Sequence, residues 1–330
     1  MTDRTERRIP TERGVVAGRS GPGVSLGSSF VAPLDTGDGR PGDPDAIPLR
    51  GRPFAWGQRT FVMGIVNATP DSFSGDGLLR DHGARVVEGA VALARTMVAD
   101  GADILDVGGE SSRPGHEAVG AAEEIQRVVP VIAGIREALP EVPISVDTIK
   151  PSVAAAALEA GADLVNDVWG VAEDDRLARV AAERGAPLIL MHNRGEARYR
   201  NLVAEVVADL QLAIERAVAA GVRWDRIIVD PGFGFGKTPG HNLALLHDLA
   251  TLRILARPIL LGTSRKSTLG HVLDLPAGER LEATLATTVL GIAAGVDIVR
   301  VHDVLANVRA ARMTDAVVRG RWPAVAEPAP

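Results

Sequence analysis

The sequence predicts an α/β fold of the (β/α)8 (TIM) barrel kind, and three observations carry that expectation. From Thr60 onward, short apolar runs alternate with longer stretches of helical spacing, the pattern of βα units on a parallel sheet. Eight such runs fit into roughly 260 residues, close to the ~250 typical of a closed barrel. Three junctions, ADGADILDV, EAGADLVND and AAGVDIVRV, share one form, with a glycine just after an alanine-rich helix and just before a strand.

The expected strands are 60–67, 103–107, 143–147, 163–167, 187–192, 226–230, 258–262 and 297–301. Segments such as ARVVEGAVALARTMVAD and VAEVVADLQLAIERAVAAG lie between them with helical spacing. The junction glycines suit the left-handed residue that ends a helix. An open doubly wound sheet is the runner-up, but no strand is followed by GxGxxG with an acid about 20 residues later. Residues 1–55 are rich in Gly, Pro, Asp and Arg, have no apolar period, and are expected to form a disordered extension. The barrel is expected over 56–322 as one domain, with a flexible tail at 323–330.

The bulk properties narrow the function. With 46% hydrophobic residues in 330, a substantial core is available. A net charge of -6 argues against nucleic acid as the main partner. The chain has no cysteine, which removes disulfides, thiolate metal sites and cysteine nucleophiles together. The first residues lack the apolar core of a signal peptide, and LATTVLGIAAGV is well short of the ~20 residues that cross a bilayer. A soluble cytoplasmic enzyme without a nucleic-acid or membrane partner is the expectation.

In a barrel of this kind the active site lies at the C-terminal ends of the strands. There the sequence places Asn67, Asp106, Asp147, Asn166 with Asp167, His192 with Asn193, Asp230, the run Ser264-Arg265-Lys266, and Arg300 with His302. Polar residues line the rim of any barrel, but here all eight strand ends carry them. The acids and amides accept hydrogen bonds from a donor-rich ligand, while Arg113, Lys266, Arg300 and His302 suit an anion. No HExxH zinc motif and no nucleophile elbow is present. The stretch DPGFGFGKT at 230–238 misses the P-loop pattern, because Pro231 stands where the first glycine is needed and lacks the N–H.

The runs MGIVNATPDSFSGDG, DILDVGGESSRPG, ISVDT, LVNDVWG, LILMHNRG, DPGFGFGK, GTSRKSTLG and VRVHDV resemble the dihydropteroate synthase family, across all eight strand ends in order. The resemblance implies condensation of 6-hydroxymethyl-7,8-dihydropterin diphosphate with 4-aminobenzoate, giving 7,8-dihydropteroate and diphosphate in folate biosynthesis. It implies pterin contacts by Asp106, Asp147, Asn166, Asp230 and Lys266, with Asp106, Arg113 and Lys266 as catalytic residues. It further implies diphosphate contacts by Asn67, Arg113, Arg300 and His302, and aminobenzoate contacts by Phe73, Ser112, Pro114, Phe235 and Ser264. Magnesium would be held by Asn67 together with the diphosphate. Sulfonamides as competitive inhibitors and a homodimer built through the last helices follow from the same resemblance. Lys237 is then a loop support rather than a phosphate ligand. Two alternatives share the barrel and its pterin pocket: a pterin-dependent methyltransferase domain and a non-catalytic pterin-binding paralogue. Both lack a need for ESSRPG, FGFGK and SRK together.

Overall fold

The structure, a computed structural model, describes residues 44, 46–68, 82–110, 119–170 and 174–320, all of them within the compact unit Leu34–Pro330. Among the described residues a hairpin comes first, β1 (Ile47–Leu49) and β2 (Arg52–Phe54). Eight strands follow, one on each predicted run: β3 (Phe61–Asn67), β4 (Ile104–Gly108), β5 (Ile144–Asp147), β6 (Leu164–Asp167), β7 (Leu188–Met191), β8 (Ile227–Asp230), β9 (Leu260–Leu261) and β10 (Ile298–Val301). Among the described residues the α-helices are α1 (His82–Ala99), α2 (Ala121–Ala138), α3 (Pro151–Glu159), α4 (Arg176–Glu183), α5 (Leu202–Ala219), α6 (Pro239–His247), α7 (Ser267–Leu273), α8 (Leu281–Ala294) and α9 (Val304–Val318).

The eight strands are parallel, in the order β8-β7-β6-β5-β4-β3-β10-β9. A parallel bridge from Val229 to Ile259 joins the two ends, which closes the barrel. This is the predicted (β/α)8 architecture. β9 is shorter than expected because Pro258 has no N–H for the ladder, and Ile259 N bonds to the Asp297 carboxylate at 3.0 Å.

The period of two in each strand sorts its side chains. Val62, Leu105, Val146, Leu188, Val229 and Val299 face outward and pack with the buried faces of the helices. Phe61, Met63, Ile104, Leu164, Ile189, Ile228, Leu260 and Ile298 fill the interior near the N-terminal ends of the strands. In the same alternation, the next inward positions toward the C-terminal ends are polar, and they make the site.

One expectation is corrected. The segment 1–55 was expected to lie outside the fold, yet its last residues belong to the core. β1 and β2 pair in antiparallel fashion, and Ile47, Leu49, Phe54 and Trp56 join the interior cluster with Phe61 and Met63. The lower end of a barrel interior is apolar and has to be covered; this hairpin is the cover. Arg50 at its turn donates to Asp163 at 2.6 Å. The runs IPL and RPF are three residues each and contain proline, too short and broken to register as a period.

The three echoed junctions prove to be one device. Gly101, Gly161 and Gly295 have φ of 103°, 113° and 101°, a conformation that side chains rarely adopt. The aspartate two residues later turns back to the neighbouring strand. Asp103 accepts from Val62 N at 2.9 Å, Asp163 from Ile144 N at 2.8 Å, and Asp297 from Ile259 N at 3.0 Å. Each carboxylate satisfies a donor at the start of the adjacent strand, where the ladder has not yet begun.

Candidate active site

Strand pairing sets the first row of the site. Asn67 pairs with Gly108, Gly108 with Asp147, and Asp147 with Asn166, so β3 to β6 hold these residues side by side. Gly108 was not singled out from sequence, and its role is spatial: an added Cβ would sit 3.5 Å from the Asp147 side chain. One step lower on β4, Asp106 is fully buried. Asn166 Nδ2 donates to Asp106 Oδ2 at 3.2 Å.

Arg300 enters from β10 and binds both acids. Its Nε donates to Asp106 Oδ2 and its Nη2 to Asp147 Oδ2, each at 2.6 Å. Burial pushes the Asp147 carboxyl above the ordinary range; Arg300 opposes this, and Asp106 adds to it. Burial alone would lower the Arg300 pKa, but Asp106 and Asp147 outweigh it and the guanidinium stays charged. Asp106 Oδ1 is buried and takes no hydrogen bond among the described residues. A buried acceptor of that kind calls for a donor.

The opposite wall comes from the loop after β8 and the start of α7. Asp230 Oδ1 accepts from Gly232 N at 2.7 Å, and burial raises its pKa against the pull of that bond and of Lys266. Lys266 Nζ donates to Phe233 O at 2.7 Å and lies 3.8 Å from the centre of the Phe235 ring. Burial drives the Lys266 pKa down to about 7, with Asp230 resisting and Arg300 assisting. Beside β10, Ser264 Oγ and His302 Nδ1 are 2.9 Å apart.

The loop carrying Phe233 and Phe235 can form only with glycines. Gly232 has φ of 68°, and a Cβ there would meet the His192 carbonyl oxygen at 1.8 Å. Lys237 supports this loop, as expected, donating to Gly232 O and Phe235 O at 3.1 Å each.

Of the residues singled out from sequence, Asp106, Asp147, Asn166 and Arg300 meet in one bonded cluster, Lys266 and Phe235 in a second contact, and Ser264 and His302 in a third. Asn67 is at the exposed end of the first row. Phe73, Ser112, Arg113 and Pro114 lie outside the described residues. Two groups escaped sequence reading. Ser145 is buried in register with Asp106; a strand serine gives no signal until the pairing is known. Lys150 pairs with Glu110 and buried Glu124, three residues spread over 40 positions. Among the described residues, no group of three or more His, Cys, Asp or Glu is placed to hold a metal, and no helix is long and apolar enough to cross a membrane.

A closed barrel with acids, an amide and cations gathered at its C-terminal mouth has the make-up of a barrel enzyme's active site, and comparison gives the class. The family model described as pterin binding enzyme matches residues 63–302. A Clostridium beijerinckii dihydropteroate synthase is 51% identical over 267 residues, covering 81% of this chain and 97% of the relative. A solved dihydropteroate synthase from Clostridium difficile, in the presence of pteroic acid, is 48% identical with a TM-score of 0.76, covering 80% of this chain and 98% of its own. The Xanthomonas albilineans enzyme with 4-aminobenzoic acid is 40% identical with a TM-score of 0.77, covering 83% and 98%. The chain belongs to the dihydropteroate synthase family.

Proposed function

We propose that the chain joins 6-hydroxymethyl-7,8-dihydropterin diphosphate to 4-aminobenzoate, releasing diphosphate and forming 7,8-dihydropteroate. One arrangement carries this activity: Arg300 bonded to Asp106 and Asp147, with Asn166 bonded to Asp106. A pterin presents an amino group and ring N–H donors along one edge. Asp147, Asn166 and Asp230 accept from that edge, and Asp106 Oδ1 gains the donor that no described residue supplies. Lys266 donates to a ring acceptor.

Arg300 spends Nε and Nη2 on the acids, which leaves Nη1 for a diphosphate oxygen beside His302. In the reaction the bond from the exocyclic carbon to the diphosphate oxygen breaks, and the aminobenzoate nitrogen bonds to that carbon and loses a proton. Fixed cations around the departing charge and the placement of two substrates supply most of the rate. Phe235 and Ser264 flank the aminobenzoate, with Phe73, Ser112, Arg113 and Pro114 from the two loops outside the described residues.

Asn67 fits a magnesium ion shared with the diphosphate. Asn67 is exposed at the mouth of the barrel, and magnesium takes few protein oxygens when phosphates complete its shell. When bound, the ion neutralises diphosphate charge. A sulfonamide carries the same aniline group as aminobenzoate and competes for the Phe235 and Ser264 side. The functional unit is a homodimer. The decisive test is diphosphate release that depends on 4-aminobenzoate and is blocked by a sulfonamide. Well-folded protein showing no aminobenzoate-dependent release would overturn the proposal.

A further inference from the structure

Lys237 sits behind the site rather than in it. Its ammonium has three donors and three acceptors: His192 Nδ1 at 2.8 Å, Gly232 O at 3.1 Å and Phe235 O at 3.1 Å. His192 is 3% exposed and bonds through Nε2 to Asp209 Oδ2 at 3.0 Å. With Nδ1 accepting and Nε2 donating, the imidazole is neutral. Burial first, then the Lys237 charge, hold its pKa down at about 4. Asp209 is itself fixed by Arg194 Nε at 2.9 Å. Arg194 stacks over Tyr199 at 4.6 Å, and Tyr199 donates to Gly236 O at 2.8 Å.

Three consecutive glycines in this loop, each separated by one residue, have positive φ. Such a backbone has little stiffness of its own. Its shape is imposed by what grips its carbonyls, and Lys237 with Tyr199 grip those of residues 232, 235 and 236. The same loop carries the two groups that reach Lys266: Phe233 O at 2.7 Å and the Phe235 ring at 3.8 Å.

We propose that Lys237, seated on neutral His192, is a positioning residue for the aromatic substrate: it does not touch that substrate and acts on it through Phe235. This rests on the activity proposed above. Burying a lysine is costly, and here burial pushes the Lys237 pKa down to about 7; what the chain gains is the loop geometry its three bonds fix. A misplacement of the loop by about 1 Å is enough to cost 10- to 100-fold in a two-substrate site.

The test is Lys237→Met, which keeps the length of the side chain and removes every donor. In the folded variant, KM for 4-aminobenzoate is expected to rise about ten-fold or more, and the calorimetric Kd for the dihydropterin diphosphate by a smaller factor. His192→Gln, which disturbs one of the three bonds, is expected to raise the same KM by a smaller factor. The double variant is expected to be no worse than Lys237→Met, since the two residues act as one support. A merely structural role predicts a lower melting temperature and a smaller active fraction with KM unchanged; that result overturns the inference. If Lys237→Met does not fold, His192→Gln decides by the same KM criterion. Should the parent chain itself show no aminobenzoate-dependent diphosphate release, the proposed activity falls and this inference with it. A working parent with unmoved KM in the variants removes the inference alone.

Discussion

At the scale of single residues, function and stability oppose each other. Lys266 is buried next to Phe235 and Arg300, and its pKa falls to about 7 because the charged form is poorly solvated. The sign of the linkage follows. Between about pH 7 and the unfolded value near 10.5 the unfolded chain binds one more proton than the folded one, so stability rises with pH across that window. Below pH 7 the whole penalty is present. Lys266→Met is therefore expected to stabilise the chain by on the order of 1–3 kcal/mol at pH 6.5, with the gain fading toward pH 10. Urea unfolding at the two pH values measures it, and turnover is expected to be lost. A variant that is less stable at both values would contradict this account. Arg300 behaves in the opposite way. It is the counter-charge for Asp106, which is fully buried, and for Asp147. Arg300→Met leaves two carboxylates without their cation and is expected to cost about 3–5 kcal/mol, read from the same unfolding curves. Asp106, Asp147 and Asn166 were legible in the sequence, since each closes an apolar run at a predicted strand end. Their binding to Arg300 was not, because 194 positions separate Arg300 from Asp106 and only barrel closure brings them together.

At the scale of elements, the two ends of the barrel do different work. The hairpin of β1 and β2 closes the N-terminal end, where Phe54 is 1% exposed and its ring lies 4.5 Å from that of Phe61. Phe54→Ala opens a cavity that the surrounding strands cannot fill, and a loss of about 3–5 kcal/mol is expected by denaturant unfolding. The site is at the other end, so KM for both substrates is expected to remain within about two-fold, since independent distant sites add rather than couple. At the C-terminal end, the glycine loop after β8 responds in reverse. Gly232→Ala forces a Cβ onto the His192 carbonyl, and steady-state assays are expected to show aminobenzoate turnover lost well before the fold is. The eight strands were legible because each is a continuous apolar run bounded by turn residues. The hairpin was not, because three-residue strands with prolines carry no period, and what recruits them is the uncovered interior of a barrel that the sequence does not display locally.

At the scale of the whole molecule, the last helices hold surface that the barrel does not use. α8 turns Thr284, Thr287, Thr288, Gly291 and Ile292 inward and leaves Val289 and Leu290 exposed, Leu290 by 56%. α9 packs beside it and leaves Met313 and Val317 exposed by 66% and 63%. Singly exposed apolar residues are ordinary on a monomer, whereas a large contiguous patch marks an interaction site. From sequence alone the apolar run RLEATLATTVLGIAAGV at 280–296 fits a place against the barrel equally well; in the structure one face of α8 is buried, while Val289 and Leu290 are exposed. The homodimer proposed above, built through α8 and α9, would bury the remaining face. Light scattering is then expected to give twice the 34.6 kDa chain mass. Leu290→Glu puts a charge into the contact without touching the inward face of α8, so the mass is expected to fall toward 34.6 kDa while the thermal unfolding of the monomer keeps a single cooperative transition. A parent chain that scatters as a monomer, or a dimer indifferent to both Leu290→Glu and Met313→Glu, would place the contact elsewhere and return these side chains to the ordinary surface.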